Sequence, residues 1–376
     1  MWESRLAGAR MGVDEETVHF YRKGEAFTTG LGIQATNTCT PYQVGNIPTR
    51  GEHCAWMESS AVIYCNSVLG ARTNTEGRES VGAAMLTQRI PYWGYHLDEN
   101  RLGTHLIEVA TSIESTADWG LLGYWIGDKV QEKVPVVTGI GKTPNLARLK
   151  HFGASASSSG GVEMYHIVGI TPEAMSQEQA FGKRKPQEIF RFDAKEKASI
   201  LDRLNSTGKD TKVDYVMLGC PHYSMEQLWE LAQLIEGRKV HPDCELWIFT
   251  PRSTKTLCDQ NGYTRIIEEA GGHILSDSCS AMSRAMPKGT RVVAMDSASG
   301  RAIGVMDDGL HQAMIETTID TEQIGLSPMT GFVIGGIVGA TSASMIIAAK
   351  ILQYGAVTDA LIADVEKFLK GIADGS

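Results

Sequence analysis

The sequence predicts an α/β protein of layered type, with parallel-sheet domains and a loop-rich N-terminal region. The parallel-sheet part rests on two patterns between residues 134 and 295. Short, β-branched apolar runs alternate there with helical stretches, and turn residues punctuate each change of period.

In chain order, residues 134–139 (VPVVTG) read as a strand and 145–153 (NLARLKHFG) as a helix closed by glycine. Residues 162–170 (VEMYHIVGI) follow as a strand, and 193–205 place Ile200, Leu201 and Leu204 on one helical face. Residues 213–219 (VDYVMLG) form a buried-type strand. Ser224 with Gln227 then makes a capping box, opening a helix that carries Leu228, Leu231 and Leu234. Residues 245–250 (ELWIFT), a helix from Ser253 to Asn261 stopped by Gly262, 273–277 (HILSD) and 291–295 (RVVAM) complete the run. Such alternation implies crossover connections and a parallel sheet, whose chemistry sits at the strand carboxyl ends. Cys220 directly follows one predicted strand, and Cys279 closely follows another.

Three regions are expected: a site-forming region over 1–130, an α/β region over 131–297 and a divergent Gly-rich and helical tail over 298–376. The first is rich in Gly, Asn, Thr and Pro up to about Ile107, and reads as loops and short helices. In the tail, 27 consecutive uncharged residues run from 323 to 349. Pro328, Thr330, Thr341, Ser342 and Ser344 dilute their apolarity, so a buried small-residue helix is expected there in place of a membrane span. Residues 357–372 read as an amphipathic helix.

Thirty-five Lys plus Arg against 44 Asp plus Glu leave a net charge of −9, with the signs mixed along the chain, which argues against nucleic acid as a partner. Seven cysteines, an odd number with no CxxC pair, fit neither a disulfide framework nor a zinc finger. With no export signal visible, reduced thiols and a cytoplasmic location are expected. Gly139–Thr143 (GIGKT) imitates a phosphate loop, but Val136 stands where that loop needs glycine, so a tight strand-to-helix turn is the reading. Residues 155–161 (SASSSGG) read as a flexible loop.

Between residues 36 and 101, polar residues of catalytic type are unusually dense. Each has an ordinary explanation alone: a cap for Glu58 or Ser59, a turn for Asn74, a satisfied buried ring for His53 or His96. Together they suggest a pocket for an anionic, hydroxylated small molecule, with Arg72 as the carboxylate or phosphate clamp. Ser59, Asn66, Arg72 and Asn74 are the expected substrate contacts, and His53 and Glu76 the expected proton-handling groups.

Several runs carry a resemblance: Thr38–Tyr42 (TCTPY), Gly51–Val62, Asn66–Asn74 (NSVLGARTN), His96–Arg101 (HLDENR), Tyr165–Ala174, Gly219–His222 (GCPH), Ile266–Gly272 and Asp277–Cys279. Collinear from about Met11 to Ser297, they resemble the large subunit of the aconitase X family, whose members are phosphomevalonate dehydratases or cis-3-hydroxy-L-proline dehydratases. The resemblance implies an aconitase-like α/β fold, a hydro-lyase acting on a small hydroxy acid, and iron–sulfur cluster ligands at Cys39, Cys220 and Cys279. Three cysteines suit a 4Fe-4S cluster first, with 2Fe-2S or mononuclear iron as alternatives. Cys54, Cys65, Cys244 and Cys258 are then small hydrophobes.

The family's catalytic base is a serine on a swivelling domain that this chain does not resemble, so a separate small subunit is the expected partner. The wording around Glu58–Val62 and Asn74–Gly77 is closer to the phosphomevalonate branch, for which Lys142 or Arg148 would supply phosphate contacts. The chain is expected to start inside the family's large subunit and to depart from its pattern after Asp296-Ser297, where Ala298-Ser299-Gly300-Arg301 follows. A truncated homologue that binds a small molecule or a partner without catalysis is the rival expectation.

Overall fold

The alternation resolves into two parallel sheets, each carrying its own helices. The structure is a computed structural model, which describes residues 15–205, 212–279, 286, 287, 289–298 and 311–314. The uncharged segment 323–349 and the helix expected over 357–372 lie outside the described residues. Among the described residues, no helix is long and apolar enough to cross a membrane.

Before the first strand the chain forms α1 (Glu15–Gly30), α2 (Ser59–Tyr64) running into a π turn (Cys65–Leu69), α3 (Arg78–Thr87) and short 3-10 turns. The first sheet follows: β1 (His105–Val109), α4 (Thr116–Val130), β2 (Pro135–Thr138), α5 (Leu146–Gly160), β3 (His166–Ile167), α6 (Gln177–Phe181), β4 (Glu188–Phe192) and α7 (Ala194–Leu204). Its order is β3-β2-β1-β4, with Leu106 beside both Val136 and Ile189. The second sheet comprises β5 (Tyr215–Leu218), α8 (Met225–Ile235), β6 (Glu245–Phe249), α9 (Arg252–Asn261), α10 (Tyr263–Ala270), β7 (Gly272–Leu275), β8 (Val292–Met295) and β9 (His311–Met314), in the order β7-β6-β5-β8-β9.

Local chemistry explains most boundaries. The Ser224 capping box opens α8 as expected, Asn145 and Asp193 cap α5 and α7, and Ser115 with Asp118 forms a second capping box at α4. Gly262, in the left-handed conformation, stops α9. Residues 155–161 are not the expected loop. They are the last turns of α5, with Gly161 as its left-handed cap, because the small side chains let α5 press against α4. A Cβ on Gly127 would stand 2.4 Å from the Ala156 carbonyl oxygen, and one on Gly123 2.2 Å from that of Phe152.

Trp119, Trp125, Phe152, Tyr165 and Phe192 fill the core of this first layer, and Ile63 carries α2 into it. Leu228, Leu231, Ile248 and Ile267 form one core beside the second sheet, and Tyr215, Trp247, Phe249 and Met295 another. Full burial of each such side chain contributes about 1.5–3 kcal/mol, which makes both layers rigid supports for the loops at their ends.

Candidate functional site

Cys220 and Cys279 leave the carboxyl ends of β5 and β7, which flank β6 in one sheet. Two strand spacings, roughly 10 Å, separate those strands. Gly219 makes the exit from β5 possible: it is left-handed at φ 99°, and a Cβ there would meet the Phe249 carbonyl oxygen at 2.2 Å. The third cysteine arrives from the N-terminal region through His222. The His222 amide donates to Cys39 Sγ at 3.3 Å, its Nδ1 lies 2.9 Å from Thr38 Oγ1, and its Nε2 lies 2.7 Å from the carbonyl oxygen of Ser278, next to Cys279. The carbonyl contact places the ring proton on Nε2 and leaves Nδ1 to accept from Thr38. Burial lowers the His222 pKa to about 4, which keeps this arrangement neutral.

Lys150, only 2% exposed on α5, donates to the His222 carbonyl oxygen at 2.7 Å and to Gln227 Oε1. Its charge acts on both Cys39 and Cys220. Burial pushes the Cys39 thiol up to about 12, with Glu58 and Cys279 raising it further. Three thiols brought to one junction, Cys39 among them raised by burial, with the buried Lys150 cation acting on Cys39 and Cys220, are a soft donor set suited to a thiophilic metal centre. The three predicted ligands therefore fit the group the resemblance implies. Among the described residues, no three His, Cys, Asp or Glu side chains converge closely enough to hold a single ion.

The remaining predicted residues divide between two places. Ser59 is exposed at the start of α2, beside Glu58, whose charge reaches Cys39. Two helical turns further, roughly 10 Å along the axis, Asn66 is fully buried. Its Nδ2 donates to the carbonyl oxygens of Thr73 and Glu163, and its Oδ1 accepts from the Thr73 amide and Arg101. No donor or acceptor capacity is left for a substrate, so Asn66 positions the chain in place of the substrate contact expected of it.

Asn74 is similar: Oδ1 accepts from the Tyr95 amide at 2.8 Å, and Nδ2 donates to the Trp93 carbonyl oxygen at 3.3 Å. Arg72, expected as an anion clamp, pairs with Asp98 and donates to the His96 carbonyl oxygen at 2.8 Å. His53 and His96 meet through their Nδ1 atoms at 2.8 Å. Burial lowers the His96 pKa, His53 lowers it further and Glu76 opposes both. His96 Nε2 and Glu76 Oε1 are buried without a hydrogen-bond partner among the described residues.

Family models match the chain in three consecutive blocks: aconitase X first domain over residues 4–99, second domain over 103–202 and third domain over 213–313. This chain belongs to the aconitase X family. A phosphomevalonate dehydratase large subunit from Methanothermobacter thermautotrophicus is 39% identical over 291 residues, covering 77% of this chain and 70% of that protein. A Methanocaldococcus jannaschii protein of the same name is 38% identical, covering 76% and 71%. A cis-3-hydroxy-L-proline dehydratase from Hypocrea jecorina is 36% identical, covering 72% of this chain and 46% of that protein. The crystal structure of Thermococcus kodakaraensis aconitase X in its holo-form superposes with a TM-score of 0.72 at 32% identity, covering 83% of this chain and 77% of that one.

Within this aconitase X chain, the second-domain match brackets the first sheet and the third-domain match the second. The cysteines gather where the two meet, because Lys150 from the first layer reaches the loop after β5. Lys150, its contact with Gln227 and the knotting role of His222 escaped the sequence reading. Lys150 sits in a helical stretch where a lysine ordinarily faces solvent, and only the apolar residues on either side, Leu149 and Phe152, hinted at burial.

Proposed function

We propose that this chain is the large subunit of a hydro-lyase that dehydrates a small hydroxy acid, with (R)-5-phosphomevalonate giving trans-anhydromevalonate 5-phosphate as its reaction. An iron–sulfur cluster held by Cys39, Cys220 and Cys279 and a separate small subunit complete the site. The convergence of the three cysteines around His222 carries the proposal. The names of the relatives support the reaction class, and those of the phosphomevalonate enzymes imply the small subunit.

When bound, such a cluster supplies an iron without a protein ligand, a Lewis acid that makes hydroxide a tolerable leaving group without redox change. The chain's part is to hold the thiolates. The His222 amide donates to Cys39 Sγ, and the Lys150 ammonium offsets negative charge at Cys39 and Cys220. Ser59 is assigned to substrate contact at the exposed start of α2. His53, with Glu76 acting through His96, is assigned to proton handling, while Asn66, Arg72 and Asn74 hold that segment in shape. The small subunit supplies the base.

Arg148 favours a phosphorylated substrate. It lies on the first turn of α5, where its charge acts on Glu226, and its buried Nε has no hydrogen-bond partner among the described residues. The cis-3-hydroxy-L-proline reaction is the second reading, supported by relatives of that name at 36% and 35% identity.

The test is an anaerobic assay of the chain with its small subunit on both substrates. Phosphomevalonate is expected to turn over, and Arg148→Met to raise its KM by roughly tenfold or more. Turnover of cis-3-hydroxy-L-proline alone would reverse the order. Iron and sulfide should bind on reconstitution and be lost in Cys39→Ser, Cys220→Ser and Cys279→Ser; no bound iron in the unaltered chain would refute the cluster.

A further inference from the structure

The sheet stops guiding the chain before the third cysteine is reached. The ladder between β6 and β7 ends at the pair Phe249 and Leu275, and the bond beyond it runs from the Thr250 amide to the Leu275 carbonyl oxygen at 3.1 Å. Cys279 lies past that point, after Ser276, Asp277 and Ser278. A metal ligand needs its neighbours fixed as well, so these three residues must be held by something other than the ladder.

Asp277 is held by a side chain from the next loop. Its backbone is left-handed, at φ 58°, a conformation uncommon for a residue with a Cβ. The Asp277 side chain is 1% exposed, and Arg252, the first residue of α9, donates to its Oδ2 from Nε at 2.8 Å and from Nη2 at 2.5 Å. The other carboxylate oxygen, Oδ1, is buried without a hydrogen-bond partner among the described residues. A carboxylate so placed depends on its one cation, and without it the turn would relax to carry the charge to water.

That turn aims the residues that follow. Ser278 presents its carbonyl oxygen to His222 Nε2 at 2.7 Å, and the His222 amide in turn donates to Cys39 Sγ. Arg252 is well placed as the reference for this turn. It follows β6, which lies between β5 and β7, the two strands that lead into the cysteine loops. Its Nη2 also stands 3.7 Å from a Glu25 carboxylate oxygen on α1, so a second element steadies the guanidinium.

We propose that Arg252 is a positioning residue for the metal centre: by clamping Asp277 in the left-handed turn after β7, it sets Cys279 in place as a ligand and keeps Ser278 on His222. This role rests on Cys279 being a cluster ligand, as proposed above. Arg252 acts through Asp277 and not on the reacting atoms.

The test compares the full chain with Arg252→Met in two measurements. After anaerobic reconstitution, iron release to a ferrous chelator should be about tenfold faster in the variant. In the iron-free chain, alkylation of Cys279 by iodoacetamide, followed by peptide mass spectrometry, should accelerate several-fold, while Cys244 at the amino end of β6 keeps its rate. Adding Asp277→Gly to Arg252→Met removes both the stranded carboxylate and the Cβ that resists the turn, and should return both rates to within roughly threefold of the unaltered chain. Should Arg252→Met not fold, Arg252→Lys, which keeps the charge and loses the forked donors, is read in the same assays with the same expected direction. Unchanged rates in a folded variant, even one with a lower urea midpoint, or a double variant no better than the single would overturn the proposal. An unaltered chain that binds no iron refutes the cluster reading instead, and the alkylation rates then decide whether Arg252 places Cys279.

Discussion

Arg101 is the residue around which the segment from 66 to 101 is organised. Its side chain is 2% exposed, yet its guanidinium reaches Glu173 at 2.6 Å and the carbonyl oxygens of Asn66, Ala71 and Tyr95 at 3.0–3.1 Å. A buried fork of this kind binds four chain segments together, and removing it leaves a carboxylate and several carbonyls without donors. Arg101→Met is therefore expected to lower the unfolding free energy by about 3–5 kcal/mol, read from urea denaturation. Arg72→Met should cost about 1 kcal/mol or less, because its partner Asp98 is 85% exposed and water screens the pair. Equal losses in the two variants would refute this ranking. Little of it was legible in sequence: Arg101 ends the run HLDENR, where the charged neighbours Asp98 and Glu99 suggest solvent, and its burial depends on Glu173, which lies 72 residues further on.

At the scale of elements, α4 and α5 show how tertiary contact overrides local propensity. The stretch TADWGLLGYWIGDKV contains three glycines, which weigh against a helix when read alone. In the structure those glycines are the helix's packing surface. A Cβ on Gly127 would fall 2.1 Å from Ser159 Oγ and one on Gly160 1.9 Å from the Gly127 carbonyl oxygen, so the two backbones touch. The same contact explains why SASSSGG is helical. Gly127→Ala should thus destabilise by about 1–3 kcal/mol, opposing the gain of about 1 kcal/mol that alanine brings to an exposed helix; a raised Tm would contradict the contact. β4 also escaped the sequence reading. It is an edge strand with three of its five residues exposed, which leaves too few buried positions to mark it. The strands from β5 to β7 were legible because they are continuous apolar runs, as strands covered on both faces are.

For the whole molecule, the decisive feature is that buried polar groups join the two layers. The cysteines after β5 and β7 were legible from strand–helix alternation, but Cys39 was not. It lies in a loop with no periodicity, and only its family wording distinguished it. The same junction predicts a response to acid. His151, 1% exposed on α5, meets Gln227 Nε2 at 2.9 Å, and burial, with Lys150 adding, lowers its pKa to about 3. In the unfolded chain the ring titrates near 6.5. Between those values the unfolded state binds a proton that the folded state refuses, so stability is full above 6.5 and declines as the pH falls toward 3. The decline contributed by this one residue approaches about 1.4 kcal/mol per pH unit. His166, its pKa also lowered by burial, adds to it. Urea midpoints measured from pH 7 to 4.5 should therefore fall steadily, and His151→Gln should reduce the slope even if it lowers the midpoint at pH 7. An unchanged slope in that variant would mean that His151 takes up its proton as readily in the folded protein as outside it, and that the junction between the layers is open to water.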